Sequence, residues 1–242
     1  MVIHDYGQGP APFDGGNFIF DADGNVDGLG TEYYAYKAAN FDTNRDGYFH
    51  YNMHPHQYDF GASSGLAEVN GDDFITATHD FYMDDLAVAG TIQHELGHNL
   101  GLLHGGPLSM LPNSDINYKP NYNSVMSYTY QFVGVDDDCT PTADGVLDYS
   151  SGGNPPLDET NLSEPLGICG DLPGWDWNQD GDVLDLGVIA DINPEGSGDG
   201  SFDVLFDFDD WGNLNYIGIT DFDGAAAGSR ARQLAFCQAF PG

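Results

Sequence analysis

The sequence predicts an α/β fold, and three observations carry that expectation. Two short apolar runs flank a turn signal at Asn70-Gly71. The run from about Asp84 to Gly101 places apolar residues at helical spacing. No low-complexity linker interrupts the 242 residues, so 1–242 reads as a single domain.

Residues 1–50 are rich in Asp, Gly and Asn, with aromatics between. Residues 48–58 (YFHYNMHPHQY) have the aromatic content of a strand, interrupted by Pro55. Residues 62–78 read as two short strands around Asn70-Gly71, a favoured hairpin pair. In DDLAVAGTIQHELGHNLGLLH, the residues Leu86, Ala89, Ile92, Leu96 and Leu100 recur at roughly helical intervals. Asp84 or Asp85 suits the N-cap, and Gly101 suits the stop. Beyond residue 105 long loops dominate, with a short helix expected over 158–166. From about residue 171 the tail is Asp/Gly-rich, anchored by Trp175, Trp177 and Trp211.

A hydrophobic fraction of 40% supplies a core and excludes disorder throughout. Five basic residues against 39 acidic ones give a net charge of -34. That balance excludes nucleic acid as a partner, because nothing neutralises phosphates, and it disfavours an anionic membrane surface. The acid is 33 Asp and 6 Glu. Aspartate suits tight turns and short calcium loops, and the 33 glycines fit the same picture. A salt-adapted surface is the other reading, and the two are compatible. No apolar run reaches the length of a membrane helix, so no membrane insertion is expected. No signal peptide is visible at Met1, and the chain is expected to begin after any export signal. Three cysteines, Cys139, Cys169 and Cys237, permit one disulfide and one free thiol. Cys139 with Cys169 is the first choice, since each lies in a Gly/Asp-rich loop.

The run His94-Glu95-Leu96-Gly97-His98-Asn99-Leu100-Gly101-Leu102-Leu103-His104 carries the chemistry. His94 and His98 are four apart, so a helix projects both from one face, one turn apart. Two imidazoles so placed bind one zinc ion, and Glu95 beside them can reach a water at the metal. A catalytic zinc takes a third protein ligand and keeps one position open. His104 supplies that ligand if the chain turns back after the helix, which Gly101 permits. A structural zinc site would normally show four protein ligands and has no use for the glutamate.

HELGHNLGLLH resembles the metzincin pattern HExxHxxGxxH, with all five fixed positions present. The family also carries a methionine turn beneath the metal, and Ser124-Val125-Met126-Ser127-Tyr128 fits it, with Met126 as the turn methionine. The resemblance implies that Tyr128 approaches the zinc and stabilises the transition state, as a tyrosine does there in the astacin and serralysin branches. It implies an edge strand above the cleft, here Gly65, Leu66, Ala67 and Glu68, on which a peptide substrate pairs by strand addition. It further implies a two-lobed domain. A small twisted mixed sheet and the active-site helix form an upper lobe of about 1–104, and a loop-rich lower lobe covers about 105–242. A broader likeness to bacterial secreted zinc proteases with calcium-type Asp loops covers about residues 20–215, which places the protein outside the cell.

Three runs share D-x-N-x-D-G: Asp23-Asn25-Asp27, Asp42-Asn44-Asp46 and Asp176-Asn178-Asp180, each followed by Gly. Alternate oxygens around a tight turn are the start of a calcium loop, so these nine residues are candidate structural calcium ligands. None has the glutamate at loop position 12, and Glu32 or Asp185 is a candidate for the missing ligand. Ordinary Asp/Asn turn chemistry is the alternative. His50, His54 and His56 have the even spacing of one strand face, read as a polar face ahead of a second zinc.

The function expected is zinc-dependent hydrolysis of peptide bonds in extracellular proteins, with Glu95 as general base. A calcium-dependent, non-enzymatic binding or adhesion module on the same fold is the competing reading, which the intact glutamate disfavours. Hydrolysis of a non-peptide amide is a third. Nothing in the sequence fixes an oligomeric state.

Overall fold

The computed structural model describes residues 25–45, 47–61, 63–77, 84–140, 143–171, 173–193, 201–216 and 234–236. It is a mixed α/β structure with two α-helices and several small sheets among those residues. The chain forms two compact units, Met1–Gly101 with Asn215–Gly242, and Leu102–Leu214.

In the first unit, β1 (Asn25–Val26) leads into α1 (Thr31–Asn40), followed by β2 (Tyr51–Met53) and β3 (Gln57–Tyr58). β4 (Gly65–Glu68) and β5 (Asp73–Thr76) form the hairpin expected around Asn70-Gly71. Asn70 takes φ 58°, a left-handed conformation that Asn tolerates better than most side chains. Helix α2 (Asp85–Asn99) follows; Asp84 is its N-cap, accepting the Ala87 N–H at 2.9 Å. β1 pairs in parallel with β3, and β2 in parallel with β5.

Every residue of β4 and β5 is buried, as in a sheet covered on both faces. Leu66 and Ile75, directly paired, join Tyr33, Tyr51 and Phe41 in one apolar cluster. Helix α2 lies against β4 and β5. Lys37 of α1 is buried in this unit, its ammonium 2.8 Å from Asp73. Burial pushes the Asp73 carboxyl well up, against the pull of Lys37.

The second unit is loop-rich. β6 (Leu102–Leu103) pairs with β7 (Gly106–Pro107), β8 (Leu157–Asp158) with β11 (Val204–Leu205), and β9 (Leu162–Ser163) with β10 (Leu186–Val188), all antiparallel. The helix expected over 158–166 is not there: the segment holds β8, a turn, β9 and a 3-10 turn at Glu164–Leu166. Asp158 takes the Thr160 N–H with its side chain and the Asn161 N–H with its carbonyl, which closes a turn instead of a helix. Pro165 then removes a donor from the stretch that follows. Buried carboxylates do much of the pinning here. Glu159 accepts the N–H groups of Ile192 and Asp203, and Glu164 those of Trp177 and Asp185. Cys139 and Cys169 form a disulfide in this unit, as first choice had it.

Beyond the second unit the chain returns to the first. β12 (Leu234–Phe236) pairs antiparallel with β4, so the main sheet runs β12-β4-β5-β2.

One buried knot of the second unit has a pH signature. Lys119 donates from Nζ to the carbonyls of Gly105 (2.6 Å) and Phe206, and burial pushes its ammonium down to about 7. Its Nζ sits over the Tyr122 ring, whose hydroxyl donates to both Asp210 oxygens at 2.9 and 2.8 Å. Burial pushes the Asp210 carboxyl up to about 7. Between its ordinary value and that figure the folded chain holds a proton that the unfolded chain has released. Stability contributed at low pH is therefore lost as pH rises toward 7. Melting curves of the wild type and Asp210→Asn, compared from pH 4 to 8, should show the wild type losing ground on the variant by at most about 4 kcal/mol. A difference that does not change with pH contradicts the buried carboxyl's raised affinity for its proton.

Candidate metal centre

Helix α2 carries His94, Glu95 and His98, all fully buried. The four-residue spacing brings the two imidazoles together, Nε2 to Nε2 at 3.1 Å, with their rings edge to face. Two nitrogens on one tetrahedral zinc, each about 2.0–2.1 Å from the ion, stand about 3.4 Å apart, so the observed separation suits a shared cation.

The segment then turns. The helix ends at Asn99, and Gly101 takes φ 90°, where a side chain is strained and a Cβ would lie 2.5 Å from Asn70 Oδ1. β6 follows, and His104 comes directly after it. Its carboxyl-side neighbour Gly105 is held by two bonds, its N–H to the Ser114 carbonyl at 2.9 Å and its carbonyl to Lys119. His94, His98 and His104 each offer one ring nitrogen, and the three lie within 4.8 Å of one another. Three imidazoles, with no fourth His, Cys, Asp or Glu in the group among the described residues, are the donor set of a zinc ion with an open position, so the residues fit the metal their spacing implies.

Glu95 lies against β4. A Cβ on Gly65 would fall 2.0 Å from Glu95 Oε1 and 2.5 Å from its Cδ, so the carboxyl occupies space that only a glycine leaves. The sequence marked Gly65 as strand; its service to Glu95 comes from the structure, and no local signal announces it.

Met126 is fully buried and packs with Leu102, Tyr122 and Val125. Its turn is closed by the Ser127 N–H on the Ser124 carbonyl and the Met126 N–H on Ser124 Oγ. Tyr128, half-buried, has its ring 4.4 Å from that of His104 and 5.5 Å from that of Tyr118. Gly65, Leu66, Ala67 and Glu68 form a strand as expected, but not an edge. β5 pairs along one side and β12 along the other, because the C-terminal segment returns to the sheet.

The described residues of the three D-x-N-x-D-G runs make mostly short-range turn and capping contacts. Asp23 and Asp46 lie outside the described residues. Asn25 Oδ1 accepts the Phe60 N–H at 2.7 Å. The Asp27 carboxylate accepts the N–H groups of Glu32 and Tyr33, and Glu32 returns a bond to the Asp27 N–H, which caps α1. Asn44 donates twice to Asp42 and holds its carboxyl below the ordinary value. Asp176 accepts from Asp180 and Gly181, and Asn178 from Asp180. Carboxylates also gather at Glu164, Asp182 and Asp185, beside the third run, where Asn178 donates to Asp185, and at Asp136, Asp138 and Asp144, the oxygens of each group within 4.8 Å. Of these only Asp185 was singled out in the sequence. The alternating acids of Val135-Asp136-Asp137-Asp138, with Asp144 beyond, were the available signal. His50, His54 and His56 do not share a strand: β2 covers only Tyr51–Met53, and His50 Nδ1 faces Asn99 Oδ1 at 3.0 Å.

The Gly65 contact is open to direct trial. Gly65→Ala should cost about 1–3 kcal/mol in urea unfolding, as overpacking does. Gly61→Ala, where a Cβ meets only ordinary contacts at 3.5 Å and beyond, should change stability by less than about 0.5 kcal/mol. Equal midpoints for the two variants would count against the close approach of Glu95. No protein-family model, curated protein or solved structure matches this chain.

Proposed function

We propose that this protein is a zinc-dependent endopeptidase of the metzincin kind that acts on extracellular proteins. The observation that carries the reading is the histidine group: Nε2 atoms of His94 and His98 at 3.1 Å, His104 within the same 4.8 Å cluster, and Glu95 beside them on α2. The Met126 turn and the Tyr128 ring against His104 support the metzincin assignment. The Cys139–Cys169 bond supports an oxidising compartment and hence export. No helix among the described residues is long and apolar enough to cross a membrane.

In this reading His94, His98 and His104 hold the metal through neutral ring nitrogens. Bound zinc would supply Lewis acidity toward a peptide carbonyl and toward a water. Glu95, fully buried against Gly65, takes the proton of the attacking water and returns it to the leaving amine. Tyr128 is the group that donates a hydrogen bond to the oxyanion as it forms. Burial of Glu95 strengthens its electrostatic coupling to the reacting atoms.

Calcium is proposed as a structural ion, at Glu164/Asp182/Asp185 and Asp136/Asp138/Asp144 ahead of the three D-x-N-x-D-G runs. Oxygen-rich loops in a chain of charge -34 repel one another, and a divalent cation offsets that repulsion.

Digestion of unfolded casein tests the enzyme reading. The wild type should cleave it, while Glu95→Gln should keep about one zinc per chain and lose at least about 10²-fold in rate. Full activity in the variant sinks the role of Glu95; zinc without cleavage by the wild type favours a binding module. Removing calcium with a chelator that leaves zinc in place should lower the melting temperature by several degrees, and an unchanged curve would refute the calcium clause.

A further inference from the structure

The returning strand is the feature that the function proposed above does not absorb. Three residues of β12 pair antiparallel with β4: Leu234 with Glu68, Ala235 with Ala67, and Phe236 with Leu66. The next residue of β4 along that track is Gly65, which lies against the Glu95 carboxyl. A peptide that adds to this side of β4 needs the same backbone N–H and C=O groups that β12 uses. β12 and such a peptide therefore exclude each other.

Two properties make β12 a displaceable occupant in place of a permanent edge. It is a three-residue strand, and pairings so short open at low cost. The sequence before it is also unlike the rest of the chain. Two of the five basic residues, Arg230 and Arg232, lie just before β12 in the sequence of a protein with 39 acidic side chains. A basic, then apolar, segment is drawn to an acidic body by long-range attraction that salt weakens.

We propose that the C-terminal segment is a built-in, substrate-like inhibitor. Its strand 234–236 occupies the peptide-pairing side of β4, and the site takes extended peptides of the same kind, basic on the amino-terminal side and apolar after it. The proposal rests on the endopeptidase reading for its consequence, but its physical core is competition for β4.

The test separates the two. The probe is a fluorescein-labelled synthetic peptide with the sequence of residues 229–236, measured by fluorescence anisotropy. It is added to the full chain, to a chain ending at Gly228, and to full-length Ala235→Pro. The proline removes a backbone donor and disfavours the pairing without shortening the chain. The shortened chain and Ala235→Pro should bind the peptide saturably, at least tenfold tighter than the full chain does. A peptide with both arginines replaced by glutamate should bind at least tenfold more weakly. In the casein assay both variants should outpace the full chain, and added peptide should slow them. Tight binding without cleavage by any form upholds the competition and removes the protease. Cleavage at equal rates by all three, or equal peptide binding by all three, overturns the inhibitor. Should the shortened chain fail to fold, Ala235→Pro decides alone: binding no tighter than that of the full chain overturns the proposal.

Discussion

The arrest of α2 just after His98 is the constraint on which the histidine group depends. Continued as a helix, the chain would carry residue 104 about 9 Å along the axis beyond residue 98, out of reach of a shared ion. The first unit builds the stop from its own backbone. The His98 carbonyl accepts the N–H groups of both Gly101 and Asn70, and the Leu100 carbonyl accepts that of Asn215. Asn215 also donates from its side chain to Asn70 Oδ1, the atom that a Cβ on residue 101 would crowd at 2.5 Å. The last helical carbonyls are thereby satisfied, and glycine is required at the turn. The hairpin turn at Asn70 thus also fixes where the helix ends.

The same economy runs through the acidic side chains. Among the described residues, the regular elements after residue 101 are only two or three residues long, so many backbone N–H groups have no ladder to join. Carboxylates take their place: Glu159 and Glu164 each gather N–H groups from distant loops, and Asp210 receives the Tyr122 hydroxyl and the Ser150 N–H. Aspartate does this well because its short side chain reaches nearby backbone without much lost entropy. The abundance of Asp over Glu therefore reflects turn construction as well as charge.

Where local chemistry decides, the sequence was informative. The N-cap at Asp84, the stop at Gly101, the β4–β5 hairpin and the approach of His94 to His98 all follow from residues within a few positions of one another. Long-range pairing was not legible. Nothing local says that residues 234–236 return to β4, and so Gly65–Glu68 read as an edge. The 158–166 segment read as helix, but Asp158 closes a turn there and the segment's backbone is claimed by residues as distant as Asp203, 44 positions from Glu159. The D-x-N-x-D-G runs were visible as loops, but the carboxylates that gather do so across loops, which spacing along one run does not reveal.

The central claim is that three imidazoles hold one zinc, with Glu95 beside them and outside the ligand set. X-ray absorption at the zinc edge on the purified full chain addresses it directly. The account predicts one zinc per chain with three imidazole nitrogens at about 2.0–2.1 Å and no sulfur, and loss of one imidazole in His104→Ala. A sulfur neighbour at about 2.3 Å, or an unchanged spectrum in His104→Ala, would contradict it.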